Sequence, residues 1–285
     1  MLCDDVFALI QSGLGPEGHR HLGIDTPSRR DTTIAGGSYR SPGELVDGFR
    51  AGDGDTPVTG IVVAARASTP ILQRAKAMGA NMVISRQAFL SDSRDRPVSK
   101  PEAALAEKMK FITDNGMAVL RLQDARTGPA GRRITAALPE AIGFKDAVAV
   151  VNPADGLIYH IAPRPVIDIV RKLKAAQGND AVRLVGDPGM MVRGVAFATE
   201  TSRPNALAPL LARPDVNLVV AGEVHETETT AYVLDAIAIG LPKALLLAGS
   251  IAMEELPAKV LAGWLAGKVS VPVHYLATPE GLTAI

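Results

Sequence analysis

The chain has 285 residues, 47% of them hydrophobic, with 30 Lys and Arg against 30 Asp and Glu for a formal net charge of +0. That length and apolar content suit two lobes with their own cores, while the charge balance, with no basic run longer than a pair, argues against a nucleic-acid surface. A single cysteine, Cys3, excludes an internal disulfide and fits a reducing compartment.

Taken in chain order, Asp4 to Gln11 reads as a short amphipathic helix. Residues 13–38 are rich in Gly, Ser, Thr, Pro and Arg and read as a surface loop or insertion. Their GLGPEG matches a dinucleotide-binding pattern by letters only, because no strand precedes it and Pro16 sits inside it. Arg29-Arg30 are followed by no hydrophobic region and are not read as an export signal. Ser41-Pro42-Gly43-Glu44 forms a capping box for a second helix ending near Arg50.

A strand is expected over Gly60 to Ala65, then a helix opened by a hydroxyl residue and Pro70, then a strand over Asn81 to Ser85. Ser91 to Pro101 carries mixed charges and two prolines and reads as a solvated connection. Next come a helix over Glu102 to Asn115, a strand over Met117 to Arg121, a polar loop through Asp124, and a helix over Arg132 to Ala141. Residues 146–183 span a junction, with a strand at Ala147 to Val151, a turn at Asn152 to Gly156 and a helix at Pro165 to Gln177.

The pattern then repeats. VTGIVVAARASTPILQRAKAMGANMVISRQ, from residue 58, returns in outline from residue 192 as VRGVAFATETSRPNALAPLLARPDVNLVVAGE. Val58, Gly60 and Ile61 align with Val192, Gly194 and Val195, Pro70 with Pro204, and Asn81 with Asn217. The offset grows from 134 (192 less 58) to 136 (217 less 81), which one small insertion explains. The second copy predicts strands at Gly194 to Thr199 and Val216 to Ala221, a helix from Glu226 to Ile239 stopped by Gly240, and a strand at Ala244 to Ala248. A last helix follows from about Met253, with Pro257 in its first turn or kinking it. Two strands joined by about ten helical residues make a βαβ crossover, hence parallel strands with helices on the sheet. The expectation is an α/β protein of two similar lobes, 1–145 and 146–285, each a mostly parallel sheet flanked by helices, with a cleft between them. The most apolar stretch, 236–253, is broken by Gly240, Pro242 and Lys243, which rejects a membrane span. A soluble cytoplasmic protein with no membrane or nucleic-acid partner is expected.

Chemistry in a parallel sheet belongs at the carboxyl ends of its strands. Four loops qualify: Ser85-Arg86-Gln87, Gln123-Asp124, Gly222-Glu223 with His225 and Glu226, and Gly249-Ser250 running to Glu254. Glu226 and Glu254 also suit helix starts, where acids are favoured by the dipole. Asp124 follows an apolar strand directly, in a loop that does not need it as a cap. The remaining histidines carry less. His160 reads as a core or interface residue, and His274 as structural in an edge strand beside Pro272. His19 and His21 fall in the Gly-rich segment, and Trp264 and Leu261 share a buried helix face.

GDGDTPVTGIVV, AKAMGANMVIS, KFITDNGMAVLRLQDA, AGEVHETETTAYVLDAIAIGLPKALLLAGS and MEE, in this order across roughly 42–280, resemble the GTP cyclohydrolase 1 type 2 homologue family, also called the Nif-three-like dinuclear-metal-centre hexameric proteins. The resemblance implies two α/β lobes around a cleft, a homohexamer, and two divalent ions (zinc, manganese or iron) bound by His, Asp and Glu, with a hydrolase activity on nucleotides or phosphoesters. This chain departs from that pattern. Where the family has a His followed by His or Glu, it has Arg86 and Gln87, and where the family has a His four residues before a Glu, it has Ser250 before Glu254. Asp124 keeps the family's Asp, flanked by Gln123 and Ala125 where related chains carry histidines.

Losing three donors to Arg, Gln and Ser should remove most metal affinity, since a guanidinium offers no lone pair and repels a cation. The expectation is that Arg86 takes the vacated position and pairs with Asp124 and Glu254. Two readings follow: a largely metal-free paralogue that binds a small ligand or acts as a scaffold, or a hydrolase acting on a nucleotide, phosphoester or cyclic amide through one metal on Asp124, Glu254 and Glu223 or His225.

Overall fold

Strands that are apolar at every position can be buried only where helices cover both faces of a sheet. In a computed structural model of the chain, residues 1–14, 47–89, 95, 101–122, 131–144, 157–178, 180–198 and 207–279 are described in full, and 33–34, 37–38, 129–130, 148–152 and 156 by backbone alone. The chain divides into two compact units, Met1–Thr135 with Glu254–Pro279, and Ala136–Met253.

The first unit opens with α1 (Cys3–Leu14) and a short antiparallel pair, β1 (Thr33–Ile34) with β2 (Gly37–Ser38). Then come β3 (Gly48–Ala51), β4 (Ile61–Ala64), α2 (Thr69–Ala77), β5 (Met82–Ser85), α3 (Ala103–Asp114), β6 (Ala118–Arg121) and α4 (Pro129–Thr135). The second unit holds α5 (Ala137–Ala141), β7 (Val148–Asn152), β8 (Gly156–Pro165), α6 (Val166–Gln177), β9 (Arg183–Val185), β10 (Met191–Phe197), α7 (Ala208–Ala212) and β11 (Leu218–Ala221). A π-helical turn, Glu226–Thr230, leads into α8 (Ala231–Ala238) and β12 (Ala244–Leu247). The division between units falls inside α9 (Ser250–Ala266), and β13 (Val273–Tyr275) belongs to the first.

The first sheet has the order β13-β4-β5-β6-β3, parallel except for β3 against β6. One face carries Ile61, Val63, Met82, Ile84, Ala118 and Leu120 against Val6 and Ile10 of α1 and Leu261 and Leu265 of α9. The other presents Val62, Ala64, Val83 and Val119 to Ile71 and Leu72 of α2 and Met109 and Ile112 of α3. Each aliphatic side chain fully buried in this way contributes about 1.5–3 kcal/mol. Trp264 of α9 lies so close to α1 that a Cβ on Gly13 would come within 2.3 Å of its ring.

The second sheet has the order β7-β8-β10-β11-β12-β9. Its parallel centre, β10-β11-β12, repeats β4-β5-β6, and antiparallel β9 on β12 repeats β3 on β6. The duplication therefore holds in topology as well as in sequence. The halves differ at the opposite edge, where β4 takes parallel β13 and β10 takes the antiparallel hairpin β8–β7. Phe144, Tyr159 and Phe197 meet in edge or tilted contacts with centroids 5.7–5.9 Å apart, and α6 buries Val166, Ile169 and Leu173.

Several expectations are corrected. The helix expected up to Arg50 is strand β3 where residues are described, because 48–51 pair with β6 and Phe49 packs edge-on against Phe7; 41–46 lie outside the described residues. The single helix over Arg132 to Ala141 is two, broken at Ala136. The last helix begins at Ser250, not near Met253, because the left-handed Gly249 (φ +84°) turns the chain directly out of β12. Pro257 consequently sits inside that helix rather than in its first turn. The second unit is also not the continuous 146–285 lobe read from sequence: it begins at Ala136, and Glu254–Pro279 packs into the first unit and supplies its edge strand. Residues 153–155 and 199–206, including Pro204, lie outside the described residues.

Candidate functional site

The carboxyl end of β5 is fixed by backbone and hydroxyl contacts before any side chain reaches outward. Leu122 N donates to Ser85 O, Gln87 N donates to Ala65 O at 2.7 Å, and Ser85 Oγ both accepts from Ala67 N and donates to Gln87 O. This turn leaves Gln87 half-buried and sends Arg86 toward α9 with only 3% exposure. The Arg86 guanidinium donates through Nε to Glu254 Oε2 at 2.9 Å and through Nη1 to Leu122 O at 2.7 Å. Glu254 is itself 14% exposed, so this is a largely desolvated ion pair.

Half of the expected pairing is thus observed: Arg86 meets Glu254. Asp124, with Gln123 and Ala125, lies outside the described residues. In the second unit, Glu223 and His225 are both exposed, and the His225 carbonyl accepts from Glu228 N and Thr229 N at the start of the π-helical turn. Ser250 stands at the first position of α9, one turn before Glu254. The close approach of Gly222 is required there, since a Cβ on it would meet Ser250 Oγ at 2.6 Å and Ser250 N at 3.0 Å.

The described residues around Arg86 fit a metal poorly. Among the described residues no group of three or more His, Cys, Asp or Glu side chains comes together in a way that could hold a metal ion. Glu254 Oε2 already accepts from a guanidinium, whose positive charge repels a cation and which offers no lone pair.

A second charged cluster lies at the same sheet end, toward α3, and sequence reading missed it. Asp95 is fully buried, and its Oδ2 accepts from Arg50 Nε and Arg121 Nη1, each at 2.9 Å, while its Oδ1 accepts from Phe89 N at 2.8 Å. Lys108 donates to Phe89 O at 2.8 Å, with its ammonium 3.8 Å from the Phe89 ring centroid. Burial lowers the Lys108 amine to about 7, helped by Arg66 and opposed by Asp95. The signal was available in charged residues at the ends of otherwise apolar strands, Arg50 after Phe49 and Arg121 within AVLRL. Within the stretch 91–101, read from sequence as a solvated connection of a kind that can line a cleft, Asp95 is buried, and 91–94 and 96–100 lie outside the described residues.

Of the weaker candidates, His160 is not in the core: its side chain is 41% exposed, with Nε2 3.6 Å from Asp215 Oδ2. His274 stands in edge strand β13, paired with Val62. His19 and His21 lie outside the described residues.

No family model and no curated protein matches the chain. Solved structures do. A structure described as protein ybgI of unknown function aligns with a TM-score of 0.72 over 99% of this chain and 100% of that one, at 18% identity. A Bacillus cereus protein related to NIF3 gives 0.71 over 100% and 99%, at 13% identity. Reduced HcgD from Methanocaldococcus jannaschii gives 0.66 over 97% and 98%, at 12% identity. The chain has the fold of NIF3-related proteins along its length, which is the fold that its sequence motifs resemble.

Proposed function

We propose that this chain, built on the fold of NIF3-related proteins, is a divergent relative whose dinuclear metal site has given way to an internal ion pair. It serves as a small-ligand-binding or scaffold protein rather than a two-metal hydrolase. The observation that carries this reading is the buried Arg86 to Glu254 contact at 2.9 Å, at the carboxyl end of a parallel strand. An ion on Glu254 would have to displace the guanidinium and leave it buried without its partner, a change that costs about 3–5 kcal/mol. The exposed Glu223 and His225, in the other unit, keep their hydration and bring no compensating ligand geometry of their own.

Homo-oligomerisation, as a hexamer in the cytoplasm, is part of the proposal. Tyr232, Leu234, Ile237, Ile239 and Leu241, all exposed along α8 and the turn after it, support an interface of some kind. Among the described residues no helix is long and apolar enough to cross a membrane.

Elemental analysis tests the central claim. Untagged protein is purified without chelator, equilibrated in turn with manganese, zinc and iron, and desalted. Less than about a tenth of an equivalent of metal is expected, as befits a site missing most of its donors. Retention near one equivalent overturns the reading and points to a single-metal hydrolase using Asp124 and Glu254. Light scattering on the same sample measures the assembly.

A further inference from the structure

A guanidinium carries five N–H donors in a planar fork. Arg86 uses one at Nε for Glu254 and one at Nη1 for Leu122 O, so five less two leaves three donors, both of those on Nη2 included, with no hydrogen bond among the described residues. The residue is nevertheless 97% buried, being 3% exposed. The Nη2 donors are not among the buried side-chain atoms that lack a partner, so they lie where water, or a ligand in its place, can reach them. Glu254 engages Arg86 through one oxygen at one nitrogen rather than across the two-pronged edge that guanidinium offers to a carboxylate or phosphate.

Two rigid anchors hold the guanidinium in this attitude. Leu122 O belongs to the chain leaving β6, and Glu254 to the second turn of α9. Fixing the plane in advance removes the ordering cost that a ligand would otherwise meet. The site lies just past the carboxyl end of β5, where parallel sheets place their ligands.

We propose that Arg86 receives an oxyanion, the phosphate or carboxylate group of a small ligand, through the donors that Glu254 and Leu122 leave open. The inference rests on the metal-free reading and names its ligand class. A planar fork with parallel N–H bonds matches the paired oxygens of a carboxylate or phosphate, which a halide or a single carbonyl oxygen does not offer. Glu254 then acts as a positioning residue with a second effect: its carboxylate repels the incoming charge, which favours ligands of low charge density.

The test uses the full chain, freed of metal, in thermal denaturation and titration calorimetry with inorganic phosphate, acetate or chloride at matched ionic strength. Saturable binding of phosphate or acetate, but not chloride, is expected in the wild type, and whichever anion responds identifies the group. Glu254→Gln should keep or tighten this binding, because it lifts the repulsion while its amide oxygen still accepts from Nε. Arg86→Met combined with Glu254→Gln removes both partners of the buried pair, so that no charge is stranded, and should weaken binding at least roughly tenfold. Equal binding by this double variant, or no anion response above chloride in metal-free wild type, overturns the inference and leaves the metal-free reading standing. Anion binding that appears only with added manganese or zinc overturns the metal-free reading itself.

Discussion

Asn81 and Asn217 hold equivalent positions in the two halves and accept through Oδ1 from equivalent backbone, while their Nδ2 groups tie different neighbouring strands. Asn81 Oδ1 accepts from Thr59 N and its Nδ2 donates to Pro57 O, both at 2.9 Å. Asn217 Oδ1 accepts from Arg193 N at 3.1 Å and Gly194 N at 3.3 Å, and its Nδ2 donates to Pro242 O at 3.4 Å. Each amide joins the start of one parallel strand to the start of the next. Asn81→Ala and Asn217→Ala should each destabilise by about 1 kcal/mol, because these partly exposed groups regain water when the amide is lost. Urea denaturation of both variants checks the equivalence; a loss in only one would deny it.

Lys108 gives the stability a pH dependence of definite sign. Its folded-state value of about 7 lies below the ordinary 10.5, so between the two the unfolded chain binds the additional proton. Stability therefore rises with pH from 7, as the cost of a buried ammonium is relieved. Above 9 the opposite contribution begins, since burial and the neighbouring Asp4 and Asp53 raise the Cys3 thiol from 9.0 to about 11. Between pH 7 and 9 the Lys108 contribution should be on the order of 2 kcal/mol. Denaturation curves at the two pH values should show this gain in the wild type and not in Lys108→Met.

The Arg86 to Glu254 pair predicts a strong coupling. Arg86→Met alone strands a largely buried carboxylate and should cost about 3–5 kcal/mol, whereas adding Glu254→Gln should recover a large part of that loss. A double-mutant cycle read by chemical denaturation measures the coupling. Strictly additive losses would mean that the two side chains do not share a desolvated contact.

Two glycines make opposite predictions. A Cβ on Gly194 would lie 1.7 Å from Asp215 O, a backbone atom that cannot swing aside, so Gly194→Ala should destabilise by at least about 3 kcal/mol. Gly263 is exposed in α9 with open space around its Cβ position, and Gly263→Ala should stabilise by about 1 kcal/mol through helix propensity alone. Thermal or urea unfolding of the pair tests both.

The parallel strands were legible because burial on both faces demands uninterrupted apolar runs, and the repeat from Val58 to Val192 exposed the duplication. Strand β3 was not, since it is built from Gly, Phe, Arg and Ala and owes its form to pairing with β6 rather than to its own pattern. At the site, the exchange of metal donors for Arg86, Gln87 and Ser250 was readable by position, and the contact with Glu254 followed from the need to neutralise a buried acid. The Asp95 cluster left only a partial signal, Arg50 and Arg121 at the ends of apolar strands; their convergence on one carboxylate was not readable, because no local spacing records contacts between residues distant in the chain.

The return of Glu254–Pro279 to the first unit reverses the order in which the chain can mature during synthesis. All the described strands of the second sheet, β7 through β12, are made before residue 254, so that sheet can close as soon as it clears the ribosome. The first sheet, though begun earlier, waits for α9 to cover one face and for β13 to protect the edge of β4. Until then Ile61, Val63, Ile84 and Leu120 lack the part of their cover that α9 brings. The nascent first half is therefore the segment that a chaperone would be expected to hold, and truncation after residue 253 should leave a folded second unit attached to an aggregation-prone first.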